Sequence, residues 1–183
     1  LYCLEYLYHC DILNNYYIYK PNHISQNFYY SYQLDELYIP FIYPQITDYA
    51  KKKTLNIQLK LETIKNIAKY RQPIIDNIES KIKILNLNDL LELFNSISQY
   101  NYIYPKINVL LKCNDIIDLG NSIIDADTLI NIYIYLIILC DIPNFCSEIF
   151  IIRELLPPEL SIDAIGYILT SIDISLKQII NYL

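Results

Sequence analysis

Two short runs in this chain place polar side chains where chemistry with a partner could occur. In Gly166-Tyr167-Ile168-Leu169-Thr170-Ser171, a helix turning roughly 100° per residue gathers Ile165, Leu169, Ile172, Leu176 and Ile179 into one apolar stripe, an ordinary core face. Tyr167 and Thr170 then project the other way, neighbours at i, i+3. The pair reads either as a tyrosine lying on its own helix or as a contact offered to another molecule. Asp127 poses a similar choice. At the start of an apolar helix it can accept a backbone N–H two or three residues on, as a cap, or it can display its carboxylate to a partner's cation. Asp125 is available as the substitute cap.

Other reactive types lack the spacing their chemistry needs. His9-Cys10 with Cys3, and Cys140 with Cys146, do not form the paired ligand spacings of a zinc site. No Cys-His nucleophile pair is indicated. With glycine only at Gly120 and Gly166, phosphate-cradling loops are excluded, so no cofactor and no metal is expected.

The elements that position these residues read as helices throughout. Glycine is scarce, no Asn-Gly or Asp-Gly hairpin signal occurs, and apolar residues recur at three and four. The punctuation predicts a helix near Leu1 to Ile12, a polar loop at Lys20 to Asn27, and a second helix from about Phe28 to Ile42 that stops at Pro44. Thr47 then caps a third helix to about Tyr70, closed by Gln72-Pro73. A short helix is expected within Pro73 to Leu87, and Asn88 or Asp89 caps the next. Pro105 opens a helix to Leu119-Gly120, and Asp125 or Asp127 caps one to Cys140. Pro143 or Asn144 opens the one that Pro157-Pro158 ends, and Ser161 starts the last, to Leu183. The expected fold is all-α, a layered helical bundle with one core.

Composition narrows the partners. The 183 residues are 54% hydrophobic and carry a net charge of -6, which suits a folded domain. From Cys113 onward two basic residues face ten acidic ones, so the C-terminal part carries all the net negative charge. Only Arg71 and Arg153 are arginines, which argues against nucleic acid. Five cysteines in apolar stretches suit reduced thiols in the cytosol. The longest apolar run, Leu129 to Cys140, falls short of the roughly 20 residues of a membrane span. Lys51-Lys52-Lys53 leaves weak contact with an anionic membrane surface open, beside the reading of a solvated face. A start at Leu1 suggests a piece excised from a longer protein.

The C-terminal stretch resembles the vacuolar protein sorting nine (VPS-nine) domain, the module of guanine nucleotide exchange factors for Rab GTPases of the Rab-five class. Ala126-Asp127-Thr128-Leu129-Ile130-Asn131 stands at its Ala-Asp-Asp helix start, and Gly166-Tyr167-Ile168-Leu169-Thr170-Ser171 at its Gly-Tyr-Tyr-Leu-Thr-Ser helix, with Pro143 between. Pro105-Lys106 and Glu36 to Pro44 resemble two upstream family helices. The resemblance implies a VPS-nine-like domain over 36–183, with 1–35 as a helical extension or part of a preceding bundle. It implies a Rab-five-class GTPase as partner, exchange by protein contact rather than enzyme chemistry, and a cytoplasmic place with recruitment to endosomal membranes. It further implies that Asp127 is an acidic finger entering the GTPase's nucleotide site to meet its phosphate-binding lysine. Tyr167, Thr170 and Asn131, the last at the family's proline, would form the GTPase-binding face. The family's second acid is Thr128 here, its second tyrosine is Ile168, and Asp163-Ala164 replaces its Gly-Glu. These departures bear on partner choice and on catalytic strength. Two rival readings remain beside this one: a docking module without exchange, and an unrelated helical scaffold in which Asp127 is only a cap.

Overall fold

A computed structural model describes residues 24–79, 87–119, 125–156 and 163–183, with side chains described from residue 43 onward. Among the described residues there are seven α-helices and no strand, as the periodicity predicts. They are α1 (Ile24–Asn66), α2 (Ala68–Glu79), α3 (Leu87–Asn95), α4 (Ile103–Leu119), α5 (Ala126–Leu139), α6 (Phe145–Glu154) and α7 (Ala164–Ile180), with a short 3₁₀ turn at Ser96–Gln99 after α3.

At the centre lies α5, whose residues Ile132 to Ile138 are all buried, so that it contributes to the core on every side. A helix apolar all round must be enclosed by other elements. Here α7 packs most extensively along it, and α1, α2 and α3 supply further contacts. The stripe expected on α7 is buried residue for residue: Ile165, Leu169, Ile172, Leu176 and Ile179. On the far side, α1 packs chiefly against α6.

The N-terminal half departs from the sequence reading. The part of the expected 20–27 loop that is described, from Ile24, the stop at Pro44 and the Thr47 cap give way to one helix of 43 residues that starts at Ile24 and continues through Pro40 and Pro44. A proline inside a helix removes one N–H donor and costs about 3 kcal/mol. Pro44 is exposed, so the missing donor lies on the solvent face, where water can serve the orphaned carbonyl. Thr47, expected as a cap, sits inside the helix with its hydroxyl buried and without a hydrogen-bond partner. The expected end at Tyr70 is displaced to a break at Ile67, where Arg71 Nη1 reaches back to the Lys65 carbonyl at 3.2 Å. Pro73 lies within α2 instead of closing the preceding helix. The expected helix at 1–12, the ends at Gly120 and Pro157-Pro158, and the start at Ser161 lie outside the described residues.

What fastens α1 to the rest is polar as well as apolar. Ile46, Ala50, Leu61 and Ile64 are buried along its inner face. Beside them the Thr54 and Ser147 hydroxyls meet at 2.9 Å, and Lys65 Nζ donates to the Cys140 carbonyl. Asn144, which opens α6, adopts the left-handed conformation at φ 53° and makes no side-chain cap. The first-turn N–H of Cys146 is satisfied by Gln58 Oε1 from α1 at 2.9 Å. Gln58→Ala leaves that buried N–H without an acceptor, and the expected loss is about 1–3 kcal/mol. A denaturant titration should show it as a lower midpoint at unchanged slope.

A second polar tie joins α1, α4 and α6. Lys106, whose side chain is 1% exposed, forms an ion pair with Glu148 and also donates to Tyr43 Oη. Tyr43 Oη in turn donates to Glu148 at 3.2 Å. Burial lowers the Lys106 pKa against the opposing pull of the Glu148 charge. Burial, then that same negative charge, raises the pKa of Tyr43.

Candidate functional site

The start of α5 resolves the choice between the two aspartates. Asp125 is the N-cap: its backbone is extended, and its Oδ1 accepts the Thr128 N–H at 2.7 Å. That hydrogen bond holds the Asp125 carboxyl below its ordinary pKa. The sign follows directly: stability linked to this group is present above the usual carboxylate value and is lost as the pH falls through the lowered one.

Asp127 is thereby released from capping. It lies in the first turn, exposed, with no hydrogen bond or ion pair to its carboxylate among the described residues. The positive end of the helix dipole favours a carboxylate there. Two residues further on, Leu129 enters the core, and from Ile132 the helix is fully enclosed. Asp127 is thus a free carboxylate on a rigid mount.

Asn131, one turn along, is half-buried. Tyr167 and Thr170 stand on the outer face of α7, with Tyr167 54% exposed. Thr170 donates its hydroxyl to the Gly166 carbonyl at 2.8 Å, so that it offers a partner a methyl group and oxygen lone pairs. No hydrogen bond joins Asp127 to Tyr167. Their two helices are locked to each other instead, and Ser175 Oγ of α7 donates to the Ile130 carbonyl of α5 at 3.1 Å.

Tyr133 was not singled out by the sequence pattern. It is fully buried, and its hydroxyl has no hydrogen-bond partner. Burial first, and then Cys113, Asp118 and Tyr167, raise its pKa. Nothing in the spacing of an apolar run distinguishes such a tyrosine from its isoleucine neighbours.

Reactive chemistry has little to work with among the described residues. Cys113, Cys140 and Cys146 are buried free thiols. Burial pushes Cys113 and Cys146 up to about 12, far from the thiolate a nucleophile needs. Among the described residues, no three His, Cys, Asp or Glu side chains come together to hold a metal ion, and no helix is long and apolar enough to cross a membrane.

The central helix thus carries an exposed carboxylate at its start, and the helix packed along it carries an exposed tyrosine. Residues 87–183, more than half the chain, match the Vacuolar sorting protein 9 (VPS9) domain, and the chain belongs to that family. The VPS9 domain is a guanine nucleotide exchange domain for Rab GTPases that acts by protein contact. No curated protein and no solved structure matches the chain.

Proposed function

We propose that this domain binds a Rab-five-class GTPase and accelerates its GDP release, with Asp127 as the acidic finger and Tyr167, Thr170 and Asn131 as the GTPase-binding face. What supports this reading most is the release of Asp127 from capping duty by Asp125. A carboxylate left unpaired at the tip of a buried helix is suited to meet a cation that arrives from outside. In the GTPase that cation is the phosphate-binding lysine. Once nucleotide leaves, this lysine lies unpaired in a partly desolvated cleft, and a carboxylate beside it stabilises the nucleotide-free state.

The finger does not act alone. A GTPase that holds nucleotide at around picomolar affinity stores about 16 kcal/mol. Most of that must be offset across the whole interface, for which the outward Tyr167 and Thr170 supply one helix face. The net negative charge of residues 113–183 adds attraction for a basic partner site. The working unit on this reading spans residues 36–183, cytoplasmic and recruited to endosomal membranes where its partner acts.

Release of a fluorescent GDP analogue from a panel of Rab GTPases tests the proposal. The wild-type domain should accelerate release from a Rab-five-class member. Tyr167→Ala should raise the concentration needed for half-maximal rate by roughly tenfold or more, the loss of about 1.4 kcal/mol or above in docking. If no Rab releases nucleotide faster, the exchange reading is lost. Binding without release would assign the docking module, for which Asn131 at the family's proline position is the motivating departure.

A further inference from the structure

Seven of the chain's 14 basic residues fall between Asp48 and Arg71, against two acids, Asp48 and Glu62. This stretch is +5 in a chain of -6, so the remainder is -11. Lys65 and Arg71 turn toward backbone carbonyls, of Cys140 and Lys65 respectively. The other five, Lys51, Lys52, Lys53, Lys60 and Lys69, are exposed. Surface partners are few: Lys52 pairs with Asp48 at 2.7 Å, Lys53 lies over the Tyr49 ring, and Lys69 lies over the Tyr70 ring.

The same outer face of α1 carries large apolar side chains that the core does not use. Leu55 is 56% exposed and Leu59 53% exposed, one helical turn apart. Lys51 and Lys52 precede Leu55 by four and three positions, so that lysines stand directly beside leucine on the helix surface. Asp48 and Glu62 share this face and offset Lys51 and Lys52, so the excess positive charge comes from the lysines at its edge, Lys53 and Lys60. A site for a phosphate backbone alone gains nothing from exposed leucine. An anionic lipid surface uses both, because ammonium groups pair with headgroups while leucines enter the boundary of the acyl chains.

We infer that the outward face of α1 around Leu55 and Leu59, with Lys51 and Lys52 beside them and Lys53 and Lys60 at its edge, is a docking surface for an anionic phospholipid membrane. The inference stands independently of the exchange reading, because it uses a different helix face and needs no GTPase. Lysines near such a surface each strengthen binding about fivefold. The leucines add apolar burial that salt does not screen.

Vesicle co-sedimentation of the full chain provides the test. The wild-type protein should sediment with vesicles of phosphatidylcholine and phosphatidylserine, and much less with phosphatidylcholine alone. Replacing Lys51, Lys52 and Lys53 together by alanine should weaken anionic binding about 100-fold. Leu55→Ser with Leu59→Ser should weaken it about tenfold, and should most reduce the fraction that stays bound in 1 M salt. Both sets change exposed positions, so thermal unfolding should stay near wild type and a folded control is assured. Equal sedimentation with neutral and anionic vesicles would overturn the proposal, as would wild-type binding by the leucine variant. So would a leucine variant whose only change is from dimer to monomer in solution, which would assign the face to a second copy of the chain.

Discussion

Asp127→Ala is expected to slow GDP release from the partner GTPase by roughly 100- to 1,000-fold relative to the wild-type domain, while stable binding to the GTPase falls by far less. The size follows from the charge it removes. Leaving a buried cation without its partner costs about 3–5 kcal/mol, and each 1.4 or so is tenfold in rate. That cost falls on the nucleotide-free complex, where the lysine has lost its phosphate, so the rate suffers more than the docking. The variant should fold normally, because Asp125 and not Asp127 holds the first turn of α5. Single-turnover release at saturating domain, beside a binding isotherm, separates the two quantities. An equal loss of both would make Asp127 a docking residue only. Unchanged release would remove it from the site.

Glu148→Leu should have the largest effect on stability. It strips the carboxylate from Lys106, which has almost no exposure and keeps only the Tyr43 hydroxyl as a partner. A loss of about 3–5 kcal/mol is expected, a drop in Tm of roughly 10 °C for a chain of this size. The lysine pKa, already lowered by burial, should fall further without Glu148. A base whose folded pKa lies below its unfolded one carries its full cost at lower pH and sheds it as pH rises toward the ordinary lysine value. The deficit of the variant should therefore shrink toward pH 10 or so. Adding Lys106→Met and Tyr43→Phe removes all three polar groups at once and should restore much of the stability, since an apolar replacement of a buried pair is often neutral. A triple variant as unstable as Glu148→Leu would show that the network matters for more than its own neutralisation.

The sequence was informative where local chemistry decides the outcome. On α7, the period of apolar residues identifies the buried stripe and with it the outward Tyr167 and Thr170, because a helix fixes both faces from spacing alone. On α5, the same logic located the helix start but not the division of labour between Asp125 and Asp127. Either aspartate has the right chemistry for a cap, and only the backbone at Asp125, extended at ψ 161°, settles which one turns inward.

Where distant residues decide, the pattern failed. Pro44 and Thr47 are local stop and start signals, and a helix that packs against α6 overrides them. Lys106 is legible as a family position, yet its burial depends on Tyr43 and Glu148, 63 and 42 residues away. Gln58 is an unremarked polar residue in the sequence and becomes the cap of a helix 88 positions downstream.

That reach has a consequence for how the chain is made. The contacts from α1 to α6 span 88 to 105 residues, and a ribosome adding about 5–20 residues per second needs about 4–20 s to cover the gap. During that interval Ile46, Leu61 and Ile64 have emerged while the face that will cover them has not yet been synthesised. Closing so long a loop is slow even once both ends exist. The long helix is thus among the first described parts to leave the ribosome, yet it cannot finish packing until α6 has followed, and the nascent chain is most exposed to aggregation over just this span.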